Sequence, residues 1–557
     1  MKQVLIINIT RMGDLVQMGA LLERLQEEWP GVAVDLVVDR RFAPVAALLK
    51  GLRDVIALDF HALIEESRAL VKDVVTLYQD TAAWAKPLAE RRYDRVINLT
   101  FNRPSALLAG FIGAPDVRGA QSAWDGGIVI ENPWMAYFSD FQQFRRFHRF
   151  NLVDVYALGG SGPGTFKPLT LTVPNEDRAW AQHLLGGGLQ WIAVQAGASD
   201  PMKAWRPHLF GQALAQFSKR WPGGIVCIGS LEEEATIAEV LQVYREAGGL
   251  GPVKNLAGRT TLNQLAGLLA ECRMLLTNDT GPMHIGVAVG TPVIDLSVGH
   301  VAFQETGPYG PGHWVVQPEL ECAPCGFDQV CAHHACKDRI APDLVADLMG
   351  HVLKIGPCPT KIFGGRLYES GVDEDGLGTF RVKGGIESPV TAWYATFWRR
   401  YWYEAHTGVR SQVPLPTGPP PDAVEVRAQL RSLLPLLEAA CRRADEIVRV
   451  ARKATVDIPE LKRLQREQAA DQERLVRLGM ATEVVAPLTA AFGRQLRNDN
   501  VIGLGLLAKH QAEAYHTWRR RIVELERSLS TSFTDGSSTA VHPTEKLILV
   551  GPERRVA

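Results

Sequence analysis

Short runs of Val, Ile and Leu alternate with helical patterns from Val4 to Leu296, and this alternation constrains the fold more than any other feature. Val4 to Ile9, Val32 to Val38, Val55 to Leu58 and Arg95 to Leu99 read as strands, with a helix over Asp14 to Trp29. A second block repeats the pattern in Trp191 to Gln195, Gly224 to Gly229, Met274 to Asn278 and Pro292 to Leu296. Near-continuous apolar strands separated by helices form parallel sheets covered on both faces. The glycine-rich stretch Gly159 to Gly164 reads as a flexible joint between the blocks. The predicted architecture is therefore α/β. Two Rossmann-like, doubly wound domains, 1–165 and 166–384, face each other across a cleft, and ligands bind at the carboxyl ends of the strands.

From about residue 385 the pattern changes. Val424 to Arg452, Glu460 to Leu478 and Val501 to Arg527 are rich in Leu, Ala, Arg and Glu, with apolar spacings of three and four. They predict an α-helical accessory region over 385–530, entered through a stiff Pro414 to Pro421 linker. The Ser/Thr/Gly-rich stretch 531–557 reads as a flexible tail. Trp393, Tyr394, Phe397, Trp398, Tyr401 and Trp402 recur at helical spacing beside Arg399 and Arg400. Such a stripe reads first as core, and second as a membrane-facing surface.

Composition narrows the function classes. A formal net charge of −1 over 557 residues offers no footprint for nucleic acid. No apolar run reaches the ~18 residues of a membrane-spanning helix, and Val4 to Ile7 is too short for a signal-peptide core. The expected location is cytoplasmic, with the eight cysteines reduced or bound to metal.

The chemistry concentrates in a few turns. Asp279-Thr-Gly-Pro-Met-His284 follows an apolar strand and opens a helix. Free N–H groups at a helix start, with the helix dipole behind them, form an anion site. Asp279 and Thr280 can orient ligand hydroxyls, Gly281 admits a phosphate to the main chain, and His284 reaches back from one turn in. Asn8 to Asp14 joins the first strand to the first helix, where Asp14 is either a helix cap or a general base facing the cleft. Ala198 and Ser199 end the first strand of the second block, and Lys203 follows as a surface lysine or a cation for a leaving phosphate. Glu232, or its neighbour Glu233, opens another helix and is a candidate for a ribose. Thr260 or Thr261 caps the helix that Leu262 begins. Cys322, Cys325, Cys331 and Cys336 fall within fifteen residues. Four thiolates suit tetrahedral zinc or iron, with His333 and His334 as substitutes, and such a set leaves no open position for catalysis. The alternative is a loop of reduced thiols.

In order and spacing these segments resemble glycosyltransferase family 9, the heptosyltransferase family. The matching pieces are Val4 to Val16, Gly258-Arg-Thr-Thr-Leu262, Asn278 to His284, Gly290 to Ile294, Thr306-Gly-Pro-Tyr-Gly310 and Cys322-Ala-Pro-Cys325. The resemblance implies a GT-B fold and inverting transfer from a nucleotide sugar, commonly ADP-heptose, without a catalytic metal. Asp14 then matches the base, and Asp279, Thr280, Gly281 and His284 match the donor turn. Lys203 and Ser199 resemble phosphate contacts, although Ser199 stands where threonine is usual and the spacing to Lys203 is longer. Leu262 would pack near the adenine. A family member that heptosylates autotransporter proteins carries a four-cysteine iron site, a precedent for structural iron or zinc on the loop 322–336.

The acceptor implied first is the lipopolysaccharide core, at the inner face of the membrane. A protein acceptor, or a non-catalytic scaffold acting through its helical region, stands behind it. That region is also a candidate for homo-oligomer formation or peripheral membrane contact.

Overall fold

The computed structural model describes residues 1–9, 11–59, 73–186, 188–326, 329–360, 362–416, 418–498 and 502–531. The tail expected over 531–557 lies outside them but for its first residue. Two compact units are present: one holds Met1–Arg145 with Arg149–Glu387, the other holds Arg146–His148 and the chain from Ser388 onward.

The first unit contains two sheets. The first joins β1 (Gln3–Ile7), β2 (Ala33–Asp39), β3 (Leu52–Leu58), β4 (Arg95–Asn98), β5 (Asp116–Ser122) and β6 (Ile128–Ile130) in the order β3-β2-β1-β4-β5-β6. The second joins β7 (Trp191–Gln195), β8 (Gly224–Cys227), β9 (Val253–Asn255), β10 (Leu275–Asn278), β11 (Val293–Leu296), β12 (Trp314–Pro318), β13 (Gly365–Val372) and β14 (Gly378–Gly384). Its order is β14-β13-β12-β11-β10-β7-β8-β9. Strands β1 to β5 pair in parallel, as do β7 to β12. Each sheet therefore reverses its winding once, between β1 and β4 and between β7 and β10, which is the Rossmann order. The central strands are apolar throughout because helices cover both faces: Val4 to Ile7 and Leu275 to Leu276 are fully buried.

Three local expectations are corrected. The first helix begins at Met12, not Asp14, and a break at Met18 divides it into Met12–Gln17 and Gly19–Glu28. Asp14 is thus inside the first turn, and the cap position belongs to Arg11. Gly159 to Gly164 is no loose joint, because the helix Leu152–Gly160 runs into it. A Cβ on Gly160 would fall 2.5 Å from Leu21. Arg24 donates to the carbonyls of Gly162 and Gly164. Composition suggested freedom there, whereas small size is used for close packing. Finally, β13 and β14 form an antiparallel extension of the second sheet that the alternation did not reveal.

The second unit is helical, with Pro389–Thr407, Ala423–Ala451, Ile458–Ala481, Ala486–Arg497 and Leu504–Thr531. Arg427 and Arg431 pair with Glu526, Arg519 with Glu438, and His516 with Asp445. Those partners run in opposite senses, so Ala423–Ala451 and Leu504–Thr531 lie antiparallel. The aromatic stripe is core: Trp393, Tyr394, Phe397, Trp398 and Trp402 are buried. It forms two stacked columns, Trp393/Phe397/Tyr401 and Trp398/Trp402/His406, as spacing by one helical turn requires. No single helix among the described residues is long and apolar enough to cross a membrane.

Candidate active site

The two winding reversals place the loop after β1 and the turn after β10 at the carboxyl ends of their sheets. The helices that follow, Met12–Gln17 and Gly281–Ala288, meet at their starts. A Cβ on Gly13 would lie 2.8 Å from Cδ2 of His284, and one on Gly281 would lie 2.2 Å from the Met12 methyl. Close approach to the buried ring therefore requires Gly13, a Cβ on Gly281 would displace only the end of the Met12 side chain, and Asp14 sits one residue beyond the contact. Asn8 donates to the Asp14 carbonyl at 3.0 Å, holding the first turn to the strand end. Tyr156 is buried beside Asp14, and burial first and that carboxylate second hold its phenol well above its ordinary range.

The donor turn is built on Asn278 and Gln195, neither of which the sequence had singled out. Asn278 donates to the carbonyls of Ala196 and Gly197 (2.9 and 3.1 Å) and accepts from the Trp205 N–H at 3.0 Å. It thus brackets the segment that carries Ala198, Ser199 and Lys203. Gln195 accepts from the Thr277 and Thr280 hydroxyls at 3.2 and 3.1 Å and donates to Glu233 at 3.2 Å. Thr280 occupies the cap position of the Gly281–Ala288 helix without capping it. Pro282 has no N–H to offer, so the open donor at this end is that of Gly281.

Asp279 is buried and shared. Its Oδ1 lies 3.5 Å from Nζ of Lys203, and its Oδ2 accepts from the Thr306 hydroxyl. His284, buried one turn on, is held neutral: burial lowers its pKa to about 4, and its Nδ1 has no hydrogen-bond partner among the described residues. Asp295, on β11 directly beside Thr277 of β10, is fully buried, and among the described residues neither of its carboxyl oxygens has a hydrogen-bond partner. Burial, and after it the negative charge of Asp279, raises its pKa well above the ordinary value of a carboxylate.

Other candidates fall around this centre. Glu233 rather than Glu232 faces it: a Cβ on Gly197 would meet Glu233 Oε1, whereas Glu232 is exposed. Glu233 also accepts from the Ser230 N–H, closing a capping box. Thr261 caps the helix that begins at Leu262, again with a capping box, through Gln264. Leu262 is half-buried there. His300 faces Asp200 at 3.5 Å, and Arg145 binds both oxygens of Glu305 at 2.8 Å. These pairs are far apart in sequence, and only Thr306 of this outer ring fell inside a recognised segment.

The four cysteines come together on one loop after β12. Burial, and then the neighbouring thiols, raise the pKa of Cys325 and Cys336. Cys331 Sγ accepts from the His334 N–H at 3.3 Å, and Cys336 accepts from the Gly299 N–H. Among the described residues, no group of three or more His, Cys, Asp or Glu side chains is placed to hold a metal ion.

Residues 81–335 match the profile of glycosyltransferase family 9 (heptosyltransferase). They take in Lys203, the Asp279 turn and Cys322, Cys325 and Cys331 of the cysteine loop, and begin after Asp14. Lipooligosaccharide heptosyltransferase 2 of Campylobacter jejuni is 29% identical over 175 residues, 31% of this chain and 53% of that protein. The chain thus spans about half the length of that relative. Its namesake in Haemophilus influenzae is 28% identical over 305 residues, 53% of this chain and 82% of that one. The structure of Escherichia coli ADP-heptose LPS heptosyltransferase II aligns with a TM-score of 0.47 and 21% identity, covering 64% of this chain and 99% of that one. Over residues 81–335 this chain, which holds two Rossmann-ordered sheets in its first unit, is thus similar to glycosyltransferase family 9.

Proposed function

We propose that this protein is an inverting, metal-independent glycosyltransferase that moves heptose from ADP-heptose to a hydroxyl of the lipopolysaccharide core. The observation that carries the reading is the meeting of two helix starts: Asp14 lies just beyond the Gly13–His284 contact, and the Asp279–Lys203 pair lies just before it. The names of the relatives, lipooligosaccharide heptosyltransferases, support the choice of sugar and acceptor.

In this reading the acceptor oxygen bonds to the anomeric carbon as the bond from that carbon to the donor diphosphate breaks on the opposite face. Positive charge spreads over the ring, and negative charge grows on the departing phosphate. Lys203 and the Gly281 N–H meet that charge. Asp14 takes the proton of the acceptor hydroxyl late, once attack has acidified it. Ala198 and Ser199 line the phosphate side, Leu262 the base side, and of the two candidate glutamates, Glu232 and Glu233, the second takes the ribose.

The cysteine loop acts as structure. Its four thiols are a donor set suited to iron or zinc. Four thiolates around one ion would leave no open position for the reaction, so a metal here would be structural. Metal analysis of the purified protein tests this part. The protein would work in the cytoplasm, peripheral to the inner membrane, with the helical unit serving oligomer formation or acceptor docking.

Calorimetry with ADP-heptose against UDP-, GDP- and dTDP-sugars tests the donor. Binding of ADP-heptose that is lost in Asp279→Ala supports the reading. Preference for another nucleotide discards heptose, and no binding to any discards the enzyme. Transfer to a polypeptide and not to core oligosaccharide would replace the acceptor.

A further inference from the structure

The turn Asp200–Arg206, which carries Lys203, is held from outside its own strand by the cysteine loop. At its start, the ammonium of Lys337, a residue only 8% exposed, donates to the Pro201 carbonyl. At its end, Arg206 gives two parallel bonds to Asp338, at 2.9 and 3.0 Å. Its middle rests on Gly299: that residue has φ +67°, and a Cβ there would fall 2.2 Å from the Met202 carbonyl oxygen. Gly299 is itself gripped on both sides by the loop. Its N–H donates to Cys336, and its carbonyl accepts from the Cys325 N–H at 3.1 Å. Within the turn, the Asp200 side chain caps the Met202 N–H, and the Lys203 and Ala204 N–H groups donate to the carbonyls of Asp200 and Pro201, a single short turn that leaves its position to outside contacts.

Burying a lysine costs several kcal/mol unless its charge is well used. Lys337 is 8% exposed, and it spends its ammonium on a main-chain carbonyl two residues from Lys203. That is an expensive way to stabilise a loop and an effective way to fix where one turn sits.

We propose that Cys325 and the segment Cys336–Asp338 form a strut that positions Lys203 for the donor diphosphate, with Lys337 and Asp338 as the positioning residues. The inference rests on reading Lys203 as a diphosphate contact. It adds that this contact is set from a segment that touches no donor atom.

A double-mutant cycle on ADP affinity tests it, using the full chain and calorimetry with ADP as the probe. Lys337→Met should weaken ADP by about tenfold, the order expected when one charge-assisted contact is misplaced. In a Lys203→Ala background the same change should cost nothing more. Additive losses would overturn the proposal, since Lys337 would then act independently of Lys203. Asp338→Asn, a change at an exposed pair, serves as the second variant should Lys337→Met fold poorly, with the same expectation. Amide exchange separates failure of the strut from failure of the donor reading. Both variants should speed exchange over 202–206 and leave β7 protected, whether or not ADP binds, and unchanged protection of that turn overturns the strut outright.

Discussion

Lys203 and Asp279 form an ion pair at 3.5 Å, and the Thr306 hydroxyl binds the other oxygen of the same carboxylate. The lysine is therefore fixed in place before any donor arrives. Such preorganisation avoids the cost of ordering a long side chain at the moment of reaction.

Removal of that cation should be felt in donor binding. We expect Lys203→Ala to weaken ADP by about 10- to 100-fold, as loss of a hydrogen bond to a charged group implies. Calorimetry at two salt concentrations checks this, and unaltered affinity would remove Lys203 from the site.

Asp14 should separate chemistry from binding. Asp14→Ala is expected to lower turnover by about 10²- to 10⁴-fold, the usual contribution of a general base, while ADP affinity stays within about twofold. Full activity in that variant would reassign the base.

The two glycines at the helix contact should respond differently to a methyl group. A Cβ on Gly13 meets the buried imidazole of His284, whereas one on Gly281 meets the end of the Met12 thioether. A ring packed in the core cannot move aside, and a methionine can. Gly13→Ala should cost about 1–3 kcal/mol of stability by urea unfolding, and Gly281→Ala less than about 1 kcal/mol. Equal costs would mean that the helices separate rather than resist.

His313 should contribute to acid sensitivity. Burial lowers its pKa to about 4, and its Nδ1 accepts the Val293 N–H at 3.2 Å, so the folded protein holds it neutral. Unfolded, a histidine takes a proton near pH 6.5. Below that pH the unfolded chain gains a proton that the folded one refuses, so stability present above pH 6.5 is lost as pH falls toward 4. By pH 5 the loss from this one residue is about 2 kcal/mol. The stability of His313→Gln should therefore fall less steeply than wild type between pH 6.5 and 5, and parallel curves would contradict the assignment.

Much of the first unit was legible because its signals are local. An apolar run bounded by polar turns marks a buried strand wherever it lies, and so the eight strands that were read are present, with ends shifted by a few residues. The Asp279 turn was legible for the same reason: strand, polar turn and small-residue helix are adjacent in the chain. The aromatic stripe, at spacing of one helical turn, read correctly as core.

What local pattern could not convey is contact between segments far apart in sequence. Gly159 and Gly160 look mobile by composition, yet they are helical and packed, because the partner that needs their small size is on another helix. Glu232 and Glu233 are equivalent as letters, and only the path of the β8 turn aims one of them at Gly197. The link from Thr306 to Asp279, the clamp of Arg145 on Glu305, and the grip of Lys337 and Asp338 on the lysine turn all follow from sheet order. Short-range periodicity is set by the backbone and side chains of a dozen neighbours. Pairing across more than a hundred residues is set by which strands lie side by side, and no single segment carries that information.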